Sequence, residues 1–510
     1  MFVAAENGAL TGGKVGGVGD VVRDLPAALV RRGWSATVLT PSYGVLAKTA
    51  GARQLRAIDV AFGGKRHTVD VYEVPGGDTG VHNIVFEHDL FSPLGPGQVY
   101  AELESEGPFA TDAGKFALLG VAAAEWVRRL GDRPDVVHLH DWHAAFYCLL
   151  RNFDPRYKRL QNVRTVFTIH NLAYQGTRPL KGDESSLEAW FPELDYDIAL
   201  LRDPHVADCV NPMALAIRTA DKISTVSPTY AEEIRRSSDP ARGFYGGEGL
   251  EVQLENAARA KRLVGILNGC EYSGHGGRRP GWQRVLALAA EQVKAWLERA
   301  PDDKAHQLAM TRLEAMPKRR PQHVLLSIGR LVQQKVSLFL EELADGRTAL
   351  EHIADRLASS GVLILLGSGE SRFERRILDI AGRSNRILFL RGYAERLSEP
   401  LYRAGDLFLM PSSFEPCGIS QMLAMRAAQP CVVHGVGGLC DTVKDGKTGF
   451  VFGGENPAQQ AHEFVAAVSR ALALKSHSHD VWQTLCINAA SERFDWERSA
   501  RQTAELLYES

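Results

Sequence analysis

The chain has 510 residues, and its 59 Lys and Arg residues nearly balance its 61 Asp and Glu residues, which gives a formal net charge of -2 at pH 7. At about 150 residues per domain, this length allows two to four domains with full hydrophobic cores. The small net charge excludes a global field that would recruit nucleic acid or an anionic membrane, so local charges must hold any anionic ligand.

The cysteines and the amino-terminal residues indicate the cellular compartment. The seven cysteines include no Cys-x-x-Cys pair, which argues against a zinc ribbon and against a disulfide framework. The sequence turns acidic at Glu6, too early for a signal peptide, and no apolar run approaches about 20 residues. We therefore expect a cytoplasmic protein that does not span a membrane.

A glycine-dense loop follows the first predicted strand. The pattern predicts a short buried strand over residues 2–5, this loop over residues 11–20, and a helix over residues 21–32. Glycines let backbone N–H groups approach a phosphate closely, and Lys14 adds a point charge. Because Val15 follows Lys14, the loop lacks the Walker pattern, and its first glycine pair does not fit the dinucleotide-binding pattern. The loop is either an anion site or a flexible turn.

Further strands alternate with helical segments, and this order predicts a parallel, doubly wound sheet. One of these strands, over residues 135–140, ends in a polar cluster. Alternation along the strand points His138 and His140 to one face and leaves His143 on the following turn, which suits a metal poorly. Polar groups at the carboxyl end of a strand more often bind hydroxyl groups, and the neighbouring Trp142 suits a sugar.

The strand over residues 165–169 repeats this design, because His170 and Asn171 follow directly at its exit. A lone histidine in such a place is usually structural. The repetition of polar exits from neighbouring strands favours a ligand site at this edge of the sheet.

The composition changes between Ser273 and Pro321, where we place the boundary between two domains. Glycines and arginines open this stretch, a polar helical segment fills most of it, and a basic run lies between prolines at its end. The run is short and lacks aromatic platforms for bases, so a solvated connector is favoured over an RNA site. The predicted organisation is a first domain over residues 1–272, a linker over 273–321, a second domain over 322–490, and a final helix over 491–510 that packs back on the first domain.

A second series of strands and helices begins with the strand over residues 324–328. Arg330 and Lys335 lie on its exit near a predicted helix start, where an arginine fork and a lysine point charge can neutralise a diphosphate without metal. A pair of surface cations with no ligand is the alternative. Tyr393, which follows another buried strand, either stacks on a nucleobase or fills the edge of the core.

The carboxyl-terminal half is organised around the loop over residues 412–420, which follows an apolar strand ending at Met410. A strand that stops at a proline, a turn of small residues with one acid, and a helix beginning at Gly418 are typical of open α/β sheets that present catalytic groups. The helix start would direct its free N–H groups at the place that Glu415 occupies. The alternative is an ordinary loop whose glutamate caps the helix.

Together these motifs resemble those of bacterial glycogen synthases and plant starch synthases, the retaining glycosyltransferases of family five. The resemblance covers nearly the whole chain in the family's order, and the set is highly specific although each motif is weak alone. The motifs are Lys14-Val15-Gly16-Gly17-Val18-Gly19-Asp20-Val21, His140-Asp141-Trp142-His143, Phe167-Thr168-Ile169-His170-Asn171-Leu172-Ala173-Tyr174-Gln175-Gly176, Thr225-Val226-Ser227-Pro228-Thr229-Tyr230-Ala231, Leu267-Asn268-Gly269, Phe414-Glu415-Pro416-Cys417-Gly418 and Gly437-Gly438-Leu439.

The resemblance implies the GT-B fold, an α/β architecture of two Rossmann-like doubly wound parallel-sheet domains facing a cleft. It implies transfer of glucose from ADP-glucose or UDP-glucose to the nonreducing end of an α-1,4-glucan, with retention of the anomeric configuration. The nucleotide sugar is a substrate, and no metal or other cofactor is expected. Departure of a nucleoside diphosphate develops negative charge, which cations and helix N-termini stabilise where it appears.

The same resemblance implies a role for each matching residue. Glu415 would face the transferred glucose, His170 would bind the donor sugar, and Arg330 with Lys335 would hold the leaving diphosphate. Retention usually suggests a covalent carboxylate intermediate, but reaction on one face is also open, so we assign Glu415 to positioning and charge stabilisation. The other expected ligands of the donor and the reacting sugar are Lys14, Gly16, Gly17, Asp141, Asn171, Asn268, Tyr393, Cys417 and Gly418.

Three features depart from the family pattern. Val336 follows Lys335 where the family usually has glycine, which would stiffen the loop that carries the lysine. Residues 270–274 replace the usual acidic and tryptophan-containing run after Asn268. Leu423 stands where transferases of family four carry a second glutamate, which favours the synthase assignment.

Two other functions stay open, namely another GT-B retaining glucosyltransferase with a small acceptor and a catalytically weak homologue that binds glucan. A degenerate site would be expected to lose some of its matching residues. All five residues expected at the reacting end are present, namely Lys14, His170, Arg330, Lys335 and Glu415.

Overall fold

A computed structural model describes residues 1–77, 79–100, 109–272, 279–357 and 361–509. The chain divides into two compact units, each an α/β structure built on its own sheet. The first unit comprises residues 1–238, 246–269 and 495–510, and the second comprises residues 239–245 and 270–494.

The first unit is built on a large, mostly parallel sheet. The strands of the unit are β1 (Phe2–Val3), β2 (Thr37–Pro41), β3 (Arg53–Phe62), β4 (Lys65–Glu73), β5 (His82–Glu87), β6 (Val136–His140), β7 (Arg164–Ile169), β8 (Arg178–Pro179), β9 (Cys209–Val210), β10 (Lys222–Thr225) and β11 (Leu263–Gly265). Of these, β8 and β9 form a separate two-stranded antiparallel sheet. Among the described residues the sheet order is β11-β10-β7-β6-β1-β2-β5-β4-β3. Neighbours from β11 to β5 are parallel, which confirms the predicted doubly wound sheet, whereas β4 and β3 add an antiparallel hairpin at one edge.

Helices cover the faces of this sheet. Two of them begin with proline after a side-chain cap, because Asn211 and Ser227 each accept a hydrogen bond from a first-turn N–H. Within the described ranges no helix is long and apolar enough to cross a membrane. The helices are α1 (Gly17–Arg31), α2 (Ala110–Arg128), α3 (Asp141–Ala144), α4 (Phe146–Phe153), α5 (Leu187–Trp190), α6 (Ile198–Leu201), α7 (Pro212–Thr219), α8 (Pro228–Glu233) and α9 (Glu251–Arg259).

The second unit has a parallel sheet. Its strands are β12 (His323–Ile328), β13 (Gly361–Gly367), β14 (Ile387–Arg391), β15 (Leu407–Met410), β16 (Cys431–His434) and β17 (Gly449–Phe452). Their order is β14-β13-β12-β15-β16-β17, and every pairing is parallel. This is the Rossmann strand order, with a reversal between β12 and β15. The strands are apolar and mostly buried, as expected for strands covered on both faces.

The helices of the second unit include two in the predicted linker. They are α10 (Trp282–Arg299), α11 (Lys304–Ala315), α12 (Gln333–Leu340), α13 (Ala349–Arg356), α14 (Ser371–Arg383), α15 (Glu395–Ala404), α16 (Ser420–Arg426), α17 (Gly437–Thr442), α18 (Pro457–His477) and α19 (His479–Ser491).

The predicted linker is largely part of the second unit. His306 of α11 pairs its Nε2 with the carbonyl of Arg391 at 2.9 Å, and Asp303 forms an ion pair with the same arginine. Gly392 fits under Trp296 of α10, since a Cβ there would lie 2.6 Å from the indole. The segment was predicted as a solvated connector because its composition is polar, but its apolar residues recur at helical spacing and one face of α10 is buried. Residues 273–278, where the predicted linker begins, lie outside the described residues.

The last helix, α20 (Trp496–Thr503), belongs to the first unit and continues as a single π-helical turn. Trp496 and Ala500 join the same apolar cluster as Val21 and Leu25 of α1. The hydroxyl of Tyr508 lies 2.7 Å from His138 Nδ1 on β6. The end of the chain therefore packs beneath the polar exit of β6.

Candidate active site

The strand order of the first unit reverses between β1 and β6. Open α/β sheets bind ligands at the carboxyl ends of strands at such a switch point. The glycine loop follows β1 there, and Asp141 follows β6. The adjacent β7 contributes His170 and Asn171 at the same edge. The structure thus brings these predicted residues of the first unit to one edge of the sheet.

Asp141 is buried and has a strained backbone. Its φ of 55° lies in the left-handed region that residues other than glycine seldom adopt. Its Oδ1 accepts a 2.7 Å hydrogen bond from the backbone N–H of His170. Burial raises the pKa of Asp141 to about 7, although backbone hydrogen bonds from His170 and Asn171 act in the opposite direction. The carboxyl group therefore joins two strand exits and changes charge near neutral pH.

His170 is coupled to a second histidine. His140 Nδ1 and His170 Nε2 are 2.8 Å apart, and the ring centroids are 5.2 Å apart with an interplanar angle of 29°. Loss of hydration lowers the pKa of His170 to about 3 and holds the pKa of His140 well below its ordinary value. Both imidazoles are therefore neutral near pH 7.

The histidines of β6 line a small cavity whose wall has both polar and apolar side chains. His138 and His140 share one face of the strand as predicted, and their rings stack with centroids 4.5 Å apart. Asn268, which was expected near the donor, lines this cavity together with His140. In the part of the chain that the structure describes, no three His, Cys, Asp or Glu side chains are grouped to hold a metal ion.

The glycine loop closes around the carboxylate of Glu6. Glu6 Oε2 accepts hydrogen bonds from the backbone N–H groups of Gly16 (2.6 Å), Val15 (2.8 Å) and Gly19 (3.3 Å). Its Oε1 accepts a 2.8 Å hydrogen bond from the hydroxyl of Tyr100. These amides, including that of Gly16, were expected at a phosphate and are instead bonded within the protein.

Lys14 and Gly17 lie on the outer side of this loop. Lys14 Nζ is 2.7 Å from Asp20 Oδ1, and 35% of the lysine side chain is exposed. A Cβ at Gly17 would meet nothing within 4 Å, so the space beside it is open. An exposed ion pair contributes little to stability, so Lys14 can exchange Asp20 for an anionic ligand at small cost.

In the second unit, an ion pair lies where the strand order reverses, between β12 and β15. Lys335 lies in α12, Glu415 follows β15, and the Lys335 ammonium contacts the buried Glu415 carboxylate. The hydroxyl of Ser412 donates a 2.9 Å hydrogen bond to the same Glu415 Oε2. Gln334 Nε2 donates to the carbonyl of Phe414 at 2.9 Å, so α12 also holds the loop backbone. The structure thus brings the predicted Lys335 and Glu415 into direct contact.

The helix after this loop begins later than predicted. Gly418 has a φ of 75°, and α16 begins at Ser420. The prediction of a helix start at Gly418 was therefore wrong, because a left-handed residue cannot belong to a right-handed helix. The positive φ would strain any other residue at Gly418, and a Cβ there would lie 2.5 Å from Gln421 Oε1, so this turn favours glycine.

A second glycine lets the loop pack against α17. The backbone N–H of Gly438 donates a 3.0 Å hydrogen bond to the carbonyl of Glu415. A Cβ at Gly438 would lie only 2.4 Å from the carbonyl oxygen of Cys417. The motif around Glu415 and the motif around Gly438 therefore form one structure, in which Cys417 is buried.

Arg330 differs from Lys335 in its surroundings. It is exposed and, among the described residues, makes no hydrogen bond or ion pair. Arg330, Lys335 and Ser412 line one cavity beside β12 and β15. Val336, which was expected to stiffen the loop, is 4% exposed and packs in the core of the unit. It anchors α12, whereas the side chain of Arg330 is exposed.

Tyr393 presents its ring to solvent. It is 72% exposed and follows Gly392, whose φ is 148°. An exposed ring on a fixed backbone is suited to stacking, whereas an edge of the core would bury it. Stacking on a nucleobase stays a prediction.

Sequence reasoning missed Glu6 and Ser412. Glu6 accepts hydrogen bonds from the glycine loop, and Ser412 donates one to Glu415. Glu6 is the acid that directly follows the first buried strand, and its place before a glycine loop was the available signal. Ser412 lies three residues before Glu415, a spacing common in turns but not specific.

Comparison with known proteins identifies the family. The family model for the starch synthase catalytic domain matches residues 1–256, and that for glycosyl transferases group 1 matches residues 322–473. A glycogen synthase from Desulfitobacterium hafniense is 32% identical over 513 residues, which cover 98% of this chain and 97% of that protein. The chain belongs to the glycogen and starch synthase family.

Other members of the family agree with this assignment. A glycogen synthase from an Anaeromyxobacter species is 34% identical over 525 residues, covering 100% of this chain and 98% of that protein. The catalytic domain of starch synthase IV from Arabidopsis thaliana, bound to ADP and acarbose, matches with a TM-score of 0.76 and 28% identity over 100% of this chain and 98% of that one. Sucrose-phosphate synthase from Thermosynechococcus elongatus, with a TM-score of 0.55, 18% identity and 99% and 97% coverage, supports the fold alone. The chain is a retaining glycosyltransferase with the GT-B fold, as predicted.

Replacing Glu6 should release the glycine loop. Glu6→Ala removes the acceptor shared by three backbone N–H groups, of which only that of Gly19 is buried. An unsatisfied buried group costs about 1–3 kcal/mol, so we expect a loss of about 1–3 kcal/mol. Denaturant unfolding and hydrogen exchange at Val15 and Gly16 measure this. Glu6→Gln keeps an acceptor oxygen and should lose less. Unchanged exchange in Glu6→Ala would show that the carboxylate does not hold the loop.

The raised pKa of Asp141 predicts a pH-dependent gain from Asp141→Asn. Above its unfolded pKa of 3.8 and below about 7, the folded chain keeps a proton that the unfolded chain has lost. Wild-type stability therefore falls as pH rises through this window. We expect the advantage of Asp141→Asn in unfolding free energy to grow by roughly 2–3 kcal/mol between about pH 5 and pH 8. Denaturant unfolding at both pH values measures it, and an equal difference at both would contradict the assignment.

Proposed function

We propose that this chain is a glycogen or starch synthase that transfers glucose from a nucleotide sugar, ADP-glucose or UDP-glucose, to the nonreducing end of an α-1,4-glucan with retention of configuration. The names of its relatives support the glucan acceptor. The ADP and acarbose bound to the Arabidopsis relative support an adenine nucleotide donor and an oligosaccharide acceptor.

The observation that carries the proposal is the charge arrangement at the reversal between β12 and β15. Departure of a nucleoside diphosphate develops negative charge, and preorganised cations stabilise it where it appears. Arg330 is exposed beside Lys335 at this edge, and a guanidinium can bind two phosphate oxygens at once. Arg330, together with Lys335 in its ion pair with Glu415, would stabilise the leaving diphosphate, and the proposal invokes neither a metal nor an organic cofactor.

The surroundings of Glu415 bear on how configuration is retained. Its Oε2 already accepts from the Lys335 ammonium and the Ser412 hydroxyl, and both interactions reduce the electron density that a nucleophile would use. This supports a positioning and charge-stabilising role for Glu415, with acceptor attack on the face from which the diphosphate departs. Lys335 would then hold both the carboxylate and the leaving phosphate.

In the first unit we assign the sugar to the groups around β6 and β7. His170 and Asn171 would bind hydroxyl groups of the transferred glucose, and Asp141 would hold the backbone of both. Lys14 and Gly17, on the outer side of the glycine loop, would contact the donor. Tyr393 would stack on the base. We also place the protein in the cytoplasm, where its seven free thiols would stay reduced.

A donor and acceptor screen tests the proposal. Purified protein is given ADP-glucose or UDP-glucose with glycogen, with maltooligosaccharides, or with small sugar acceptors. We expect elongation of the glucans with one nucleotide donor preferred, and an α-linked product by NMR. Transfer only to small acceptors would favour the other transferase function, and glucan binding without donor turnover would favour the weak homologue.

Arg330→Ala tests the charge assignment within this screen. We expect kcat/KM for glucan elongation to fall by about 100-fold or more, because a group that stabilises the leaving charge is lost. Arg375→Ala is the matched control, since Arg375 is an exposed arginine on α14 of the same unit. Equal activities of the two variants would contradict the role of Arg330.

A further inference from the structure

We propose that His140 is a positioning residue that fixes the orientation and the protonated nitrogen of His170. The proposal rests on the proposed function in one respect, namely that His170 acts on the transferred sugar. His140 itself lies fully buried below the strand exits, so it acts through His170 and not on a ligand.

The pairing of β6 with β7 brings the two rings together. His140 lies opposite Thr168 in this parallel pair, and His170 follows two residues later, directly after the last residue of β7. The rings are inclined by 29°, and a nitrogen of each approaches the other at 2.8 Å. The hydrogen bond between these two nitrogens restrains both the position and the rotation of His170.

His140 packs against the ring of His138, and the rotation of His138 is restricted. His138 Nδ1 lies 2.7 Å from the hydroxyl of Tyr508, and His138 Nε2 lies 2.6 Å from Thr168 Oγ1. Rotating His138 would break both hydrogen bonds. Phe2 stacks on His138 and on His140, with centroids 5.2 Å and 5.6 Å away. The face of His140 is therefore held by neighbours that are themselves fixed.

The second nitrogen of His140 points to a further restraint. His140 Nε2 is buried and has no hydrogen-bond partner among the described residues. Trp496 Nε1 likewise has no hydrogen-bond partner among the described residues, and both residues line the small cavity that Ser224 and Asn268 also line. Buried waters typically make about three hydrogen bonds to such groups. A water in this cavity would bond to His140 Nε2 and hold the ring at its second nitrogen.

The hydrogen bond with His140 determines which nitrogen of His170 carries the proton. Both rings are neutral, so their shared hydrogen bond contains one proton and joins one donor to one acceptor. His170 Nε2 is committed to His140, which leaves Nδ1 for a sugar hydroxyl. The proton on His140 therefore sets whether Nδ1 of His170 donates or accepts. Without His140, both tautomers and several ring orientations become available.

Three substitutions at His140 separate this role from simple packing. His140→Asn places a polar atom near the position of Nδ1, His140→Gln places one near Nε2, and His140→Phe keeps a ring without nitrogen. We expect His140→Phe and His140→Gln to lower kcat by about 10–100-fold with little change in the KM for the donor. His140→Asn should recover most of this loss. If packing were the only role, His140→Phe would be the most active variant, and that order would overturn the proposal.

Tyr508→Phe is the matched control, because it removes one hydrogen bond of His138, whose Nε2 stays bonded to Thr168, and leaves the hydrogen bond between His140 and His170 intact. It should change stability and leave kcat within about twofold, since His170 keeps its geometry. A loss of kcat as large as that of His140→Phe would contradict the assignment to His140.

A measurement on the unmodified protein needs neither activity nor a variant that folds. Nitrogen-15 NMR of labelled histidine reports which ring nitrogen carries the proton. We expect a single neutral tautomer for His170, whereas a mixture of the two tautomers would overturn the proposal. If no glucose transfer is detected but one tautomer is seen, the proposed function fails and the pairing of the two histidines stands.

Discussion

The ion pair of Lys335 with Glu415 is the interaction on which the second unit's site depends. Its partners are 80 residues apart in sequence and come from the helix after β12 and the loop after β15, the two strands at which the sheet order reverses. Glu415 is buried, and a buried charge that loses its partner typically costs about 3–5 kcal/mol. The pair therefore fixes the distance between helix and loop, and Ser412, Gln334 and Gly438 hold the backbone around it.

In the first unit, backbone N–H groups rather than a cation hold the carboxyl groups at the strand exits. Glu6 accepts hydrogen bonds from three backbone N–H groups of the glycine loop, and Asp141 accepts them from the backbone of His170 and Asn171. In each case a carboxyl group at a strand exit is satisfied by the chain itself. Side chains that are held in this way need little reorganisation when a substrate arrives, which is the condition for electrostatic stabilisation of a transition state. The strained backbone of Asp141 is consistent with such a constraint.

Local patterns predicted the features that depend on local physics. Alternation placed His138 and His140 on one face, and alternating strands and helices predicted parallel sheets, because both follow from backbone geometry. Contacts between distant segments were not predictable. The amides of the glycine loop bind Glu6, and the polar helices of the expected linker pack on the second unit. The helix start at Gly418 was also not predictable, because glycine adopts negative and positive φ equally well and its sequence position does not distinguish them.

A double-mutant cycle tests most directly whether Lys335 and Glu415 act as one unit in catalysis. The measurement is kcat/KM for glucan elongation by Lys335→Ala, Glu415→Ala and the double variant, each confirmed to be folded. Residues that act together are strongly non-additive, so each single variant should lose roughly 100-fold or more, and the double variant should lose no more than the worse single one. Losses that multiply in the double variant would show that the two side chains act independently and would contradict this account.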